Sequence, residues 1–345
     1  MKKLTLLTLS FLFLLSSCTP KPNGPQTITI MTHDSFAISK DVIKTFEAEN
    51  NAKVAFIHSG DAGVVLNQAI LSKNAPLADI LFGVDTTFLS RALDADLFEP
   101  YKSPVLSEIP DEFKLDESNR ALPVDYGDVC INYDKQYFTE ENLAIPQSFE
   151  DLLKPEYKGL LVVEDPATSS PGLAFLLATR AHFGDDYLTY WKNLKENGVV
   201  VVDGWETAYY TNFSASSGKG PQTMVVSYAS SPAAEVFFDS EPITDSHTAS
   251  ILTSGMCFRQ IEFVSILKNT SNQKLAQKFV DFMLSSQFQN DMPLNMFVYP
   301  LNKNSQLPDV FAQYAQVAET PAIISYSEIA SNRDAWIEAW TEIMK

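Results

Sequence analysis

Apolar and polar residues alternate in short blocks over residues 27–100, and the period changes from block to block. Thr27–Thr32, Lys53–Ile57 and Ala78–Phe82 are short runs rich in β-branched or large apolar side chains and bounded by polar residues, the pattern of strands. Between them, Asp41–Glu49 sets Val42, Ile43 and Phe46 on one helical face, and Asp61–Leu71 carries Val64, Val65, Leu66, Ala69 and Ile70. Thr86–Leu93 closes the series as a short helix. This βαβαβ order predicts a parallel sheet with right-handed crossovers. Ligands on such sheets sit beyond the carboxyl ends of the strands. Here those ends read His33-Asp34-Ser35, His58-Ser59-Gly60-Asp61 and Gly83-Val84-Asp85, all polar enough to line a mouth.

A second alternation starts at Pro123–Asp134. Helix Gln147–Leu153, strand Gly159–Val163, and helices Gly172–Phe183 and Asp186–Lys195 are predicted, then strand Val199–Val202, helix Glu206–Phe213, strand Thr223–Tyr228 and helix Pro232–Phe238. Gly255–Leu267 is a long strand-like segment able to carry the chain back to the first half. Lys274–Leu284 is amphipathic, with Leu275, Phe279, Phe282 and Met283 on its buried side. In the last helix, Arg333–Met344, Trp336, Ile337 and Trp340 form a core-packing stripe. A chain of 345 residues is too long for one simple core, so two lobes are expected. Residues 27–124 with 260–305 form one and 125–259 with 306–345 the other, each an α/β unit with a mostly parallel sheet flanked by helices.

The start of the chain is a sequence of another kind. Lys2 and Lys3 precede an apolar core from Leu4 to Leu15, and Leu15-Ser16-Ser17-Cys18 supplies small residues before a cysteine. That order reads as a lipoprotein signal peptide over residues 1–17, with Cys18 carrying lipid after cleavage and anchoring the protein to the cell-envelope membrane. Residues 18–26, Pro/Gly-rich and polar from Thr19 to Gln26, are a tether. No later stretch is long and apolar enough to span a bilayer.

Composition narrows the remaining classes. Hydrophobic content of 45% with 12% aromatics describes a packed globule rather than a disordered chain. A formal charge of −18 repels nucleic acid and anionic lipid and favours cationic ligands. Nucleophile, zinc, phosphate-loop and dinucleotide motifs are missing. The histidines His33, His58, His182 and His247 share no metal-ligand spacing. Neither a metal nor a cofactor is implied. His182, late in a helix before Gly184, suits a partner of the helix dipole. His33, ending the first strand, is either a hydrogen-bonded loop residue or part of a binding face. Cys130 and Cys257 sit in apolar strand-like segments. Export permits a disulfide between them, and two buried free thiols are the expectation.

Glu164–Gly172, reading E-D-P-A-T-S-S-P-G, holds the densest local signal. Hydroxyls, then proline, then an apolar run mark a helix start, with Ser170 as N-cap and Pro171 first in the helix. Such a terminus presents free N–H donors and can hold an anion or a polar ligand group. One hydroxyl suffices for capping, so Thr168, Ser169 and Ser170 together suggest a ligand cradle beside the plainer reading of an ordinary cap. Two further junctions repeat the theme. Gly204-Trp205-Glu206 follows a strand and opens a helix, and Tyr228-Ala229-Ser230-Ser231-Pro232 runs strand, aromatic, hydroxyls, proline, helix. Trp205 is then either core or a platform, in a cleft with aromatic faces for a flat or cationic ring.

The chain is similar to the thiamine-binding periplasmic proteins, the solute-binding components of ABC importers, over nearly its whole length after the leader. The resemblance rests on T-x-D-S-F at Thr32–Phe36, D-x-x-V-x-L-N at Asp61–Asn67, A-D-I-L-F-G-V-D at Ala78–Asp85 and D-Y-G at Asp125–Gly127. It continues through D-P-x-T-S-x-P-G-L at Asp165–Leu173, G-W-E-x-A-Y at Gly204–Tyr209, S-Y-x-x-S-P at Ser227–Pro232 and R-x-A-W-I-x-x-W at Arg333–Trp340. It implies a type II periplasmic-binding fold whose two lobes close on the ligand, thiamine or its phosphate, and permease and ATPase subunits as partners of a monomeric, non-enzymatic receptor. Asp61, Ser169, Trp205, Tyr228 and Ser231 match the family's ligand-contact positions. His33, Ala62 and Phe297 stand where the family has Tyr, Gly and Trp. Ile38-Ser39 and Ala234 stand where it has a Trp and a second Tyr. The side expected to hold the hydroxyl or phosphate end is kept and the ring side altered. Another small cation is the alternative ligand, either a polyamine, a pyrimidine precursor or ferric iron. Iron binders of this fold use adjacent tyrosines where this chain has Tyr228-Ala229. A remoter alternative is a thiamine-degrading enzyme with Cys130 as nucleophile.

Overall fold

The alternating blocks of the first hundred residues fold as their periods predict. The computed structural model describes residues 24–215, 219–239 and 243–345. The signal peptide, Cys18 and most of the tether lie outside them, and Gln26, expected in the tether, begins a strand. The first half contains β1 (Gln26–Thr32), α1 (Lys40–Asn50), β2 (Ala52–His58), α2 (Ala62–Leu71), β3 (Ile80–Asp85), α3 (Leu89–Asp94) and β4 (Phe98–Glu99). There follow β5 (Leu122–Asp134), α4 (Lys135–Glu140), β6 (Leu161–Glu164), α5 (Ser170–Phe183), α6 (Tyr187–Glu196), β7 (Val200–Val202), α7 (Trp205–Thr207), β8 (Met224–Tyr228), α8 (Ser231–Phe238) and β9 (Thr248–Ile251). The chain returns through β10 (Phe258–Leu267), α9 (Gln273–Leu284), α10 (Ser286–Gln289), α11 (Met292–Asn295), β11 (Tyr299–Pro300) and α12 (Asp309–Tyr314), and closes with α13 (Tyr326–Met344).

Hydrogen-bonded neighbours run β2-β1-β3-β10-β5-β8-β6-β7. β1 is parallel to β2 and β3, and β6 is parallel to β7 and β8. The two parallel sets meet through β10 and β5, which are antiparallel to each other and to their outer neighbours. The fold is α/β with two lobes, mixed rather than parallel where the lobes join. Two of the three expected lobe boundaries, at residues 124/125 and 259/260, fall inside these long strands, and the third, at 305/306, lies between β11 and α12. β5 pairs with β10 from Leu122 to Val129 and with β8 from Val129 to Tyr133, so one strand serves both halves.

α9 buries Leu275, Phe279, Phe282 and Met283, the predicted face. The α13 stripe is core too, with Trp336, Ile337 and Trp340 all buried. One contiguous apolar cluster contains Leu66 and Phe88 from the first half together with Leu173, Trp191 and Trp340 from the second.

Several elements depart from expectation for local reasons. Only Asp151–Leu153 of the predicted helix Gln147–Leu153 is helical, as a single 3-10 turn that ends where Pro155 holds Lys154 in an extended conformation. α7 starts at Trp205 and continues as a π turn over Ala208–Asn212. α13 begins seven residues before Arg333, where Ser325 accepts the N–H of Glu328, a capping arrangement the periodicity did not reveal. His182 contacts Glu150 Oε1 at 3.1 Å.

The expectation of free thiols is overturned. Cys130 and Cys257 form a disulfide, with their Cα atoms 4.4 Å apart. The pairing of Val129 with Phe258 sets Cys130 and Cys257 opposite each other on adjacent antiparallel chains, a distance that 127 residues of sequence separation conceals. The bridge also removes the nucleophile required by the enzyme alternative. Closing so long a loop restricts the unfolded chain, so the double variant Cys130→Ala/Cys257→Ala should lose about 2–4 kcal/mol of stability. Guanidinium titration of the two proteins measures it, and an unchanged midpoint would contradict it.

Candidate ligand-binding site

Parallel strands deliver their carboxyl ends, and the helix starts that follow them, to one region. β1 ends before His33, β2 before Asp61, β6 before the hydroxyl loop, β7 before Trp205 and β8 at Tyr228. Asp61 caps α2, and its Oδ1 accepts the N–H of Ala62 at 2.6 Å and of Ser170 at 3.3 Å. Its Oδ2 accepts the N–H of Trp205 at 3.1 Å. One carboxylate thus joins the starts of α2, α5 and α7. Alongside, the Gly63 N–H donates to the Thr168 carbonyl at 3.0 Å. A Cβ on Gly63 would sit 2.7 Å from that oxygen, so only glycine allows the two halves to approach here. Burial raises the Asp61 carboxyl, and the Ser169 hydroxyl with the Trp205 and Ala62 N–H groups offsets part of the rise.

The helix start at the hydroxyl loop is shifted by one residue from the prediction. Ser169 is the N-cap, without a side-chain capping bond, and Ser170 is the first helical residue. The N–H at Ser170, expected to be open for a phosphate, is taken by Asp61. The Ser169 hydroxyl is buried beside that carboxylate, and Ser170 is the serine at the cavity surface.

His33 is buried, with Nδ1 2.8 Å from Ser35 Oγ and Nε2 3.2 Å from Glu262 Oε1. Its ring lies against Gly83, where a Cβ would come 2.3 Å from the imidazole and where φ is +94°, a double requirement for glycine. Burial alone would lower the His33 imidazole, but the Glu262 carboxylate, with Asp61 and Asp34, raises it above its ordinary value. Burial opposes the charge on Glu262, yet His33 and a hydrogen bond from Asp125 hold that carboxyl below its usual value. Glu262 stands opposite Asp85 on one side and Asp125 on the other, so three carboxyls cross the sheet in a row. Burial and the Glu262 charge push Asp125 well up, and burial pushes Asp85 to about 7 despite the Thr87 donors. Glu164 is also fully buried, and neither of its oxygens meets a donor.

The aromatic side is built by ring packing. Trp205 stacks on Tyr209 at 5.1 Å and donates Nε1–H to Ser227 Oγ, which lies 3.0 Å from Ser231 Oγ. The Tyr228 ring lies over Gly127, where a Cβ would come 2.8 Å from it, and its hydroxyl donates to Gln260 Oε1 at 3.2 Å. These groups enclose a chamber of about 230 Å³, continuous through His33, Ser35, Trp205, Tyr228 and Glu262 with a polar end of about 30 Å³ against Asp61, Ala62 and Ser170. The polar end has room for about one water.

Of the predicted site residues, His33, Asp61, Ala62, Trp205, Tyr228, Ser231 and Phe297 line this cleft, and Ser169 does not. Glu262, Glu206, Tyr210, Phe238 and Met296 line it without having been expected. Glu262 left a trace in the sequence as an acidic residue between apolar Ile261 and Phe263 inside a strand, which signals a carboxylate held in the sheet. Among the described residues neither Lys nor Arg lines either chamber, while Asp61, Glu206 and Glu262 do. Among the described residues no group of three or more His, Cys, Asp or Glu is arranged to hold a metal ion.

Such a cleft, between lobes joined by two long strands, is built to enclose a small solute. Residues 75–317 match the family model described as bacterial extracellular solute-binding protein, and the chain belongs to that family. A curated relative, the "Thiamine-binding periplasmic protein" of Brucella suis biovar 1 (strain 1330), is 31% identical over 99% of this chain and 98% of its own length. The protein of the same description from Escherichia coli (strain K12) is 31% identical over 95% of this chain and 96% of its own. A solved structure described as "Periplasmic thiamin binding protein" superposes with a TM-score of 0.82 at 28% identity, covering 93% of this chain and 97% of that one. The resemblance to the thiamine-binding branch therefore extends along the whole chain.

Glu164 offers a test of the site's charge balance. Burial, then the Asp61 charge, push its carboxyl well above the ordinary value. The folded protein therefore keeps a proton that the unfolded chain releases, and stability is lost as pH rises above the ordinary glutamate range of about 4.3. Glu164→Gln should match wild type near pH 4.5 and melt at higher temperature than wild type at pH 8. Thermal unfolding at the two pH values checks this, and parallel curves would show that Glu164 is not a buried neutral acid.

Proposed function

We propose that the protein is the solute receptor of an ABC importer, holding thiamine or a thiamine phosphate ester in the cleft and returning it unchanged to the permease. The observation that carries this reading is a chamber with Trp205 and Tyr228 rings and acidic Glu206, Glu262 and Asp61, free of Lys and Arg among its lining residues. A permanently cationic thiazolium suits that lining, with cation–π contacts worth roughly 0.5–2 kcal/mol each. Full-length similarity to thiamine-binding periplasmic proteins supports the ligand and a site of action outside the cytoplasm. The lipid on Cys18 tethers the receptor to the membrane, where a monomer meets the permease and ATPase subunits. His33, Asp61, Ala62, Trp205, Tyr228, Ser231 and Phe297 contact the ligand.

Calorimetric titration of thiamine tests the reading. Trp205→Ala should weaken binding about tenfold, or about 1.4 kcal/mol, with the fold intact. Wild-type affinity in that variant would make Trp205 a packing residue, and no binding by wild-type protein would transfer the site to another small cation. The monophosphate discriminates further. Asp61 places a negative charge where the phosphate end would lie, so Asp61→Asn should shift preference toward the monophosphate relative to free thiamine. Cys18→Ser should abolish partition into membranes and leave thiamine affinity unchanged.

A further inference from the structure

Ala234 offers only a methyl group to the chamber, so the wall contributed by α8 has a gap at that point. Phe238 stands four residues on, on the same helical face, and also lines the chamber. Its side chain belongs to none of the buried apolar clusters, and the residue is 68% exposed. Its contacts are rings, with Phe297 at 5.4 Å and Phe237 at 5.0 Å. Phe297 is itself held in an unfavourable backbone conformation, at φ 54°, the left-handed region that bulky side chains avoid. The Ser230 hydroxyl, from the start of α8, donates to the Phe297 carbonyl and fixes it there. Strain of this kind persists only where surrounding structure enforces it. Here it brings one phenylalanine against another at the rim of the chamber. Neither side chain carries a hydrogen-bonding group.

We propose that Phe238 is a ligand-contact residue that sets specificity for a flat heteroaromatic ring, with Phe297 as its strained support. This rests on the reading of the chamber as a thiamine site. The two phenyl groups select by shape and polarisability, while Glu206, Glu262 and Asp61 supply the attraction for positive charge. A non-aromatic cation such as a polyamine would satisfy the carboxylates and take cation–π contacts from the same faces, but would forgo the ring-on-ring stacking open to a flat heteroaromatic ligand. Phe238 therefore adds to the preference of the chamber for a ring-bearing cation over an aliphatic one.

Titration of thiamine and of spermidine into wild type, Phe238→Ala, Phe238→Trp and Phe238→Ala/Ala234→Tyr tests this. Phe238→Ala should bind thiamine about fivefold to tenfold more weakly and spermidine no more than about twofold more weakly, with the melting temperature unchanged because the ring is mostly exposed. Phe238→Trp should retain thiamine affinity, and Ala234→Tyr in the alanine background should recover most of it by restoring a ring one turn earlier. Wild-type thiamine affinity in Phe238→Ala would overturn the inference alone. A weakened Phe238→Ala with a lowered melting temperature and no recovery in either ring-bearing variant would also overturn it, by making the role structural. Wild-type protein that binds no thiamine would bring down the ligand reading and this inference together.

Discussion

Asp61 is the point on which the arrangement turns. Its carboxylate accepts N–H groups from the starts of α2, α5 and α7, helices that follow strands in both halves of the sheet. Each helix start would otherwise present unpaired donors to a buried space. A single acid from the first half satisfies one donor at each of them, and the Gly63 N–H to Thr168 bond beside it brings the backbones into contact. The polar end of the cleft is small because this junction fills it. The site's negative character at that end follows from the same group.

Holding Asp61 half-buried is tolerable because donors surround it, and the neighbouring acids show what happens where donors are scarce. Asp125 and Glu164 meet no donor, and burial pushes both carboxyls well above their ordinary values, while His33 holds the Glu262 carboxyl below its own. The row Asp85–Glu262–Asp125 is a product of strand register, since the three positions face each other across β3, β10 and β5. A cationic solute entering the aromatic chamber meets Glu262 and Glu206 at its wall. Charge attraction and ring contact therefore act on one ligand from one surface.

Much of this could be read in advance, for identifiable reasons. The apolar periods placed β1, α1, β2 and α2 within a residue or two, and the α13 stripe of Trp336 and Trp340 was legible because it repeats at helical spacing. Short matches such as G-V-D and D-Y-G pointed to a family without explaining themselves. Their reasons are spatial, since Gly83 makes room for the His33 ring and Gly127 for the Tyr228 ring. The hydroxyl loop was recognised as a helix start, with Ser170 expected as the cap where Ser169 takes that place, and which serine reaches the cleft depends on how α5 meets Asp61.

By itself the sequence determined the class of secondary structure, the two-lobed α/β plan, the polar strand ends that must line a mouth, and the aromatic and hydroxyl residues available there. These depend on interactions between residues close in the chain, where period and capping chemistry are local. Only the tertiary structure decided that Cys257 lies opposite Cys130, that Glu262 faces both Asp85 and Asp125, and that Asp61 rather than a ligand group takes the N–H at the start of α5. Those outcomes are set by the register of β5 against β10 and by the approach of α2 to the hydroxyl loop. Residues more than a hundred positions apart meet there, and no local pattern encodes which of them will.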